Sequence, residues 1–420
     1  MKSILLFLMA CVVSTGLLAQ ENPALDSAVA KLTRENDPEK SVQMMNRIIR
    51  DHKLDRRTDA EMLDVLYGTV AVNFAMNRDY KQFEKYIAQV QNKFNRTSFL
   101  NMAASKMLAE DIDDEYAHKI SKKTLSLYES FRKDTNARPK DFPKEDWQRF
   151  VNFAQYPYYD THAQSLFELK KYEEAIRYQK MAFVGEPAEG MPESVERYAK
   201  LLELTGKRDE AKQLLLTMAR RGRLNRGMTE HLQSIYIAEK GSDESLGAYI
   251  DSLQKNVQVT LAEELRPTML NIPAPGFELK DLEGNTVSLS DYAGKIVVLD
   301  LWATWCKPCI ASFPAMEMMV KKHPEVAFLF IAVEETGPNP LQKVKNFVEK
   351  RKYSFRVLMD EPVSEGSEEY KIISAYQPNG IPAKYIIDGK GILRFKTSGF
   401  DTDAELMNEL EAMFSILRGM

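Results

Sequence analysis

The strongest constraint on this chain is one stretch, KIVVLDLWATWCKPC at 295–309. Its first eight residues are a nearly continuous apolar run, which suits a strand buried in the middle of a sheet. A helical pattern follows from about 307 to 323. The chain must therefore bury the strand and carry Cys306 and Cys309 at the junction between strand and helix. Only one other cysteine exists, Cys11. A bond between residues three apart closes almost no loop and stabilises little through chain entropy. A disulfide here suggests chemistry rather than scaffolding.

At 420 residues the chain is long enough for two or three domains. Lys and Arg number 57 against 61 Asp and Glu, interspersed, for a net charge of −4. That balance gives no reason to expect nucleic acid or an anionic membrane as partner.

Residues 1–19 read as a secretory signal peptide: one lysine, an apolar run, then small residues, with cleavage near Ala19–Gln20. Two alternatives stand beside it. A permanent anchor is disfavoured because the run, about 17 residues, is broken by Ser14, Thr15 and Gly16. Lipidation at Cys11, after Leu8-Met9-Ala10, is disfavoured because Cys11 lies very early and the apolar run continues past it. Once the signal is cut, the cysteine pair is all that remains for an exported protein to oxidise.

Residues 20–265 read as helical, with scarce proline and apolar residues at helical spacing. Within them SLFELKKYEEAIRYQKMAF (165–183) matches KLLELTGKRDEAKQLLLTMA (200–219), setting Ala175 against Ala211 at an offset of 36. Phe83 and Ala117 are offset by 34. These offsets resemble tetratricopeptide repeats (TPR), in which stacked helix pairs share a core; an irregular helical bundle is the alternative. KDTNARPKDFPKEDW (133–147) reads as a loop. Pro267, Pro273 and Pro275 mark 266–275 as a linker.

From 276 to 420 the pattern changes to short strands and helices. FELKDLEGNTVSL reads as a hairpin turning near Gly284-Asn285. EVAFLFIAVEE (325–335) and FRVLMD (355–360) read as strands, with a helix at 341–352 between them. AKYIID and ILRFKTS form a strand pair around Gly389–Gly391, and a helix at 403–417 closes the chain. The expected architecture is multidomain: an all-α helical-repeat region followed by an α/β sandwich.

The strand ending in DLWATWCKPC, followed by a helix, resembles the active-site segment of the thioredoxin fold. PAPGFELKDLEGNTVSLSDYAGK and GIPAKYIIDGKGIL resemble the TlpA/ResA-type thiol-disulfide oxidoreductases, which are exported. The resemblance covers about 270–420. It implies a periplasmic or cell-envelope protein acting on protein or peptide thiols and disulfides, with a membrane electron donor or acceptor as a further partner. No organic cofactor is implied, because the Cys306–Cys309 pair carries the electrons.

Cys306, expected at the helix start, meets unpaired N–H groups and the helix dipole, both of which favour a thiolate. It is the expected nucleophile, with Cys309 the resolving cysteine. Lys307 and Pro308 tune the pair. Asp300 matches the buried aspartate of thioredoxin, which implies a proton acceptor for Cys309; a partly wet strand edge is the alternative. Trp305 reads as rim packing or part of the docking surface. The resemblance implies a substrate-binding cis Ile381–Pro382 bond, with Ile381 facing the cysteines and its backbone pairing with an extended substrate beside Pro382.

The chain departs from the ResA type at Ser312, where glutamate is frequent, at Asp300, which that type often lacks, and at Ala383, where threonine is common. A metal needs more ligands than one C-x-x-C, and the histidines are scattered. Lys307-Pro308 lacks the histidine of strong oxidants, so the reductase or isomerase direction is favoured. Two other functions compete. A thiol peroxidase would carry proline and threonine where Leu299 and Ala303 stand. A protein-binding helical scaffold would make the redox domain accessory.

Overall fold

The computed structural model describes residues 23–134, 138, 143–242, 244–335, 339–364, 367 and 369–420. The signal-peptide reading and Cys11 lie outside the described residues, as does part of the loop expected over 133–147. Helix begins within that loop at Lys144. The described chain forms two compact units that divide between Arg208 and Asp209.

The first unit is all helical. Its helices are α1 (Pro23–Arg34), α2 (Pro38–Asp51), α3 (Ala60–Met76), α4 (Tyr80–Ile87), α5 (Lys93–Ala109), α6 (Asp114–Phe131), α7 (Lys144–Glu168), α8 (Tyr172–Ala182) and α9 (Pro192–Leu204). Short polar side chains start several of them. Asp37, Asp79, Asn92 and Asp113 each accept a backbone N–H of the first turn. Small residues let the helices approach closely: a Cβ on Gly68 of α3 would fall 2.2 Å from the Phe99 ring of α5. Leu66, Val70, Phe83, Leu100, Met107 and Ala117 share one core. Phe83 and Ala117, aligned in the repeat reading, are both buried there, and Ala175 is buried on α8.

The second unit begins one residue into α10 (Arg208–Arg220) and takes in α11 (Arg226–Lys240) and α12 (Glu244–Leu265), helices that the sequence grouped with the helical region. They belong here because α12 lies along the last helix, α16 (Asp403–Arg418), where Gln258 Nε2 donates to Asn408 Oδ1 at 2.9 Å. Residues 266–275 are fastened to the sheet. β1 (Ile272–Pro273) pairs with β8 (Ile392–Ser398), and Leu270 N–H donates to Arg394 O at 2.8 Å. Proline suits such an edge strand as well as it suits a linker.

The remaining strands are β2 (Glu278–Asp281), β3 (Thr286–Ser288), β4 (Val297–Trp302), β5 (Ala327–Ala332), β6 (Arg356–Met359) and β7 (Ala383–Ile387). One sheet runs β1-β8-β7-β4-β5-β6-β2-β3, parallel across β4–β5–β6 and antiparallel elsewhere. Gly284, at φ +89°, makes the β2–β3 turn where a side chain would be strained. All six residues of β4 are buried. Val298 and Trp302 face a core shared with α13 (Lys307–Lys322), α14 (Pro340–Arg351) and α16. Val297, Leu299 and Leu301 face the opposite core, which holds Tyr385 together with Ile372 and Tyr376 of α15 (Lys371–Tyr376). Alternation along a strand thus assigns each β4 side chain to one of two layers.

Candidate active site

β4 ends at Trp302, and Ala303, Thr304 and Trp305 turn the chain into α13. Cys306 N–H donates to Ala303 O at 3.0 Å. Glu335, whose side chain is 3% exposed, accepts from the Thr304 N–H and, at 2.7 Å, from Thr304 Oγ1. Lys343 of α14 approaches the same carboxylate at 2.9 Å. Trp305 Nε1 donates to Glu334 O at 3.0 Å. These contacts hold the turn in place beside the sulfurs. Sequence reading missed Glu334 and Glu335, whose only signal was an acidic pair at the end of an apolar run.

Cys306 is the N-cap residue of α13, and its Sγ accepts the Cys309 N–H at 3.2 Å. The two cysteines form a disulfide with Cα atoms 5.3 Å apart. Cys306 keeps 4% exposure and Cys309 none. An incoming thiolate therefore reaches Cys306 first. When the bond opens, the helix N-terminus and the Cys309 N–H favour negative charge on the Cys306 sulfur. Lys307 and Pro308 are exposed on the first turn, where a missing N–H costs little. Ser312, buried, donates its hydroxyl to Cys309 O at 2.8 Å and so closes on its own helix.

Trp302 is core, edge-on to Phe313 with ring centroids 5.0 Å apart. Trp305 is 48% exposed. It borders a shallow cleft of about 330 Å³ shared with Thr304, Phe347, Lys343 and Lys350. The Ile381–Pro382 bond is cis. Ile381 packs against the core that contains both cysteines. Ala383 turns to the opposite core.

Asp300 is 1% exposed, not at a wet edge. Val298 and Trp302, two residues to either side, face the cysteine core, so Asp300 faces it too. Lys384, equally buried, stands opposite it in the β4–β7 ladder with Nζ 3.3 Å from Oδ1. Burial pushes the Asp300 carboxyl above the usual carboxylate range, and the Lys384 ammonium offsets this only in part. Sequence reading did not single out Lys384. Among the described residues no three His, Cys, Asp or Glu side chains gather to hold a metal.

This arrangement, a helix-capping thiol with a fully buried partner and a buried carboxyl turned toward the same core, suits thiol–disulfide exchange. The sequence matches the AhpC/TSA family over residues 270–396. Similar proteins include the thioredoxin-like protein YneN of Bacillus subtilis, 34% identical over 139 residues, which are 33% of this chain and 76% of that protein. Thiol-disulfide oxidoreductase ResA of Bacillus cereus is 34% identical over 138 residues, 33% of this chain and 75% of that protein. A solved structure of a putative thiol:disulfide interchange protein DsbE from Chlorobium tepidum is 27% identical. It aligns over 35% of this chain and 96% of its own at a TM-score of 0.30. The molecule thus joins an all-helical N-terminal region to a thioredoxin-like α/β domain, and through that domain the chain belongs to the ResA-type thiol-disulfide oxidoreductases.

Proposed function

We propose that this chain is an exported oxidoreductase of the bacterial cell envelope that reduces or isomerises disulfides in protein or peptide substrates. The observation that carries the reading is the unequal placement of the two cysteines, one capping a helix N-terminus with slight exposure and one fully buried a turn further on. In the reducing direction the Cys306 thiolate attacks a substrate disulfide, forms a mixed disulfide and expels one substrate thiolate. Cys309 then gives up its proton to Asp300 and attacks the Cys306 sulfur. The enzyme disulfide forms, and the second substrate sulfur leaves as thiolate. Two electrons pass from enzyme to substrate. A membrane electron donor returns two electrons to the Cys306–Cys309 disulfide and restores the thiols; run in the opposite direction, the pair passes its electrons to an acceptor.

Trp305, Ile381 and Pro382 form the substrate face, with the backbone at Ile381 pairing with an extended segment. Lys307 and Pro308 tune the pair. The helical region, read as TPR-like, positions the substrate or partner, and residues 1–19 direct export. Peroxide chemistry, which the AhpC/TSA match also brings to mind, is disfavoured. Leu299 faces away from the cysteines, and Ala303 has no hydroxyl.

The test is trapping. Cys309→Ser is expected to accumulate mixed disulfides with envelope proteins through Cys306, and the Cys306→Ser/Cys309→Ser double variant to trap none. Equal trapping by both, or by neither, refutes the assigned roles.

A further inference from the structure

Lys384 sits where packing alone would not put a lysine. Its side chain is 2% exposed, on a strand flanked by β4 and β8. Lysine is almost never fully buried unless paired. Its ion-pair partner is Asp300, and the contact is off the axis of a hydrogen bond. Among the described residues neither Asp300 oxygen nor Lys384 Nζ has a hydrogen-bond partner. In the same row across the sheet stand Phe330 on β5 and Thr397 on β8, neither of which ionises. Ile386, two residues along β7, faces the core that holds Cys306 and Cys309. Alternation therefore turns Lys384 toward that core as well. The titratable groups on this face of β4 and β7 are thus Asp300 and Lys384, and α13 brings the two cysteines to the same core. Lys384 is the charged side chain that acts on Asp300.

A buried ion pair is poor as a stability device, because desolving two charges costs about as much as their attraction returns. A carboxyl that must accept a proton gains directly from a fixed cation: without one, burial would hold it protonated and useless as a base. We propose that Lys384 is a positioning residue of the redox centre, whose ammonium keeps Asp300 as the carboxylate that takes the proton released by Cys309. The proposal rests on the reading of Asp300 as that acceptor. In the resolving step the Cys309 S–H bond breaks and its proton moves to Asp300. The electron pair left on Cys309 Sγ forms the bond to Cys306 Sγ. The bond from Cys306 to the substrate sulfur breaks, and the substrate leaves as a thiolate that takes a proton from water.

The test compares full-length wild type, Lys384→Met, Asp300→Asn and the double variant. Each is reduced and then mixed with a peptide disulfide, and formation of the enzyme disulfide is followed by stopped-flow fluorescence from pH 5 to 9. Lys384→Met is expected to slow resolution at pH 7 by about tenfold and to move the rising limb of the profile up by about one pH unit. In the Asp300→Asn background the same change is expected to add nothing. An unchanged Lys384→Met profile, with Asp300→Asn slow, overturns the role of Lys384 alone. An unchanged Asp300→Asn profile overturns the acceptor reading and this inference with it. Multiplicative effects in the double variant overturn action through Asp300. Carboxyl-carbon NMR of wild-type protein labelled at aspartate needs no variant. Asp300 ionised at pH 7 in the disulfide form supports the proposal, and Asp300 protonated there refutes it.

Discussion

Replacing Asp300 and Lys384 together with apolar residues should leave the second unit as stable as before, or more so, whereas removing Lys384 alone should destabilise it. Both side chains are 2% exposed and neither has a hydrogen-bond partner among the described residues to offset its lost hydration. A lone buried charge left by deleting its partner costs about 3–5 kcal/mol. Replacing both members with well-packed apolar residues is commonly neutral or stabilising by about 1–4 kcal/mol. The variants are Lys384→Met and Asp300→Leu/Lys384→Met. They are made in a Trp147→Phe background, so that the remaining tryptophans, Trp302 and Trp305, report on the second unit. Urea unfolding of the disulfide form is followed by fluorescence. With a slope of about 2 kcal/mol/M, a loss of 3 kcal/mol lowers the midpoint by about 1.5 M.

The pH dependence supplies a second check. The Asp300 carboxyl titrates above its unfolded value because of burial. Its contribution is therefore present below the ordinary carboxylate range and is lost as pH rises through the folded value. Losing Lys384 raises that value further. The deficit of Lys384→Met should thus grow from pH 5 to pH 8. A double variant less stable than Lys384→Met, or a Lys384→Met deficit under about 1 kcal/mol without pH dependence, would refute the reasoning.

Other positions give equally definite expectations. In the first unit, burial, helped by the nearby His118, Lys122 and Lys171 charges, holds His162 down at about 4. Stability should be full above pH 6.5 and fall by roughly 3 kcal/mol as pH drops toward 4, and His162→Gln should flatten this loss in acid titrations. Phe313 is fully buried among Trp302, Phe330, Tyr353 and Phe355, so Phe313→Ala should cost about 3–5 kcal/mol in denaturant unfolding. Asp64, 1% exposed, accepts from Arg56 Nη1 and from the backbone N–H groups of Gln91 and Asn92 at 2.8–2.9 Å. Asp64→Ala strands all three donors and should cost about 3 kcal/mol or more, read as a lowered melting temperature of the first unit.

The parts of this architecture legible in the sequence are those set by local pattern. The apolar run before the cysteines became β4, and the helix after them begins at Lys307 because Cys306 itself serves as the cap. The β7–β8 pair and the closing helix lay where apolar spacing placed them. What stayed hidden depends on register between distant segments. In isolation AKYIID offers no sign that Lys384 points inward. Only the β4–β7 ladder sets it against Asp300, 84 residues earlier in the chain. Glu335 is likewise an ordinary acid until the end of β5 comes beside Thr304. The compact units divide at Arg208 because the packing of α12 on α16 outweighs the change in composition near residue 266.

The central claim is that Cys306 and Cys309 form a reversible redox couple poised for reduction or isomerisation. Its most direct test is the reduction potential of purified protein equilibrated in glutathione or dithiothreitol buffers, with the two thiols counted by alkylation. The account predicts a single two-electron transition nearer thioredoxin, about −270 mV, than DsbA, about −120 mV. A potential near that of DsbA would contradict the assigned direction, and the absence of a reversible disulfide would contradict the redox function itself.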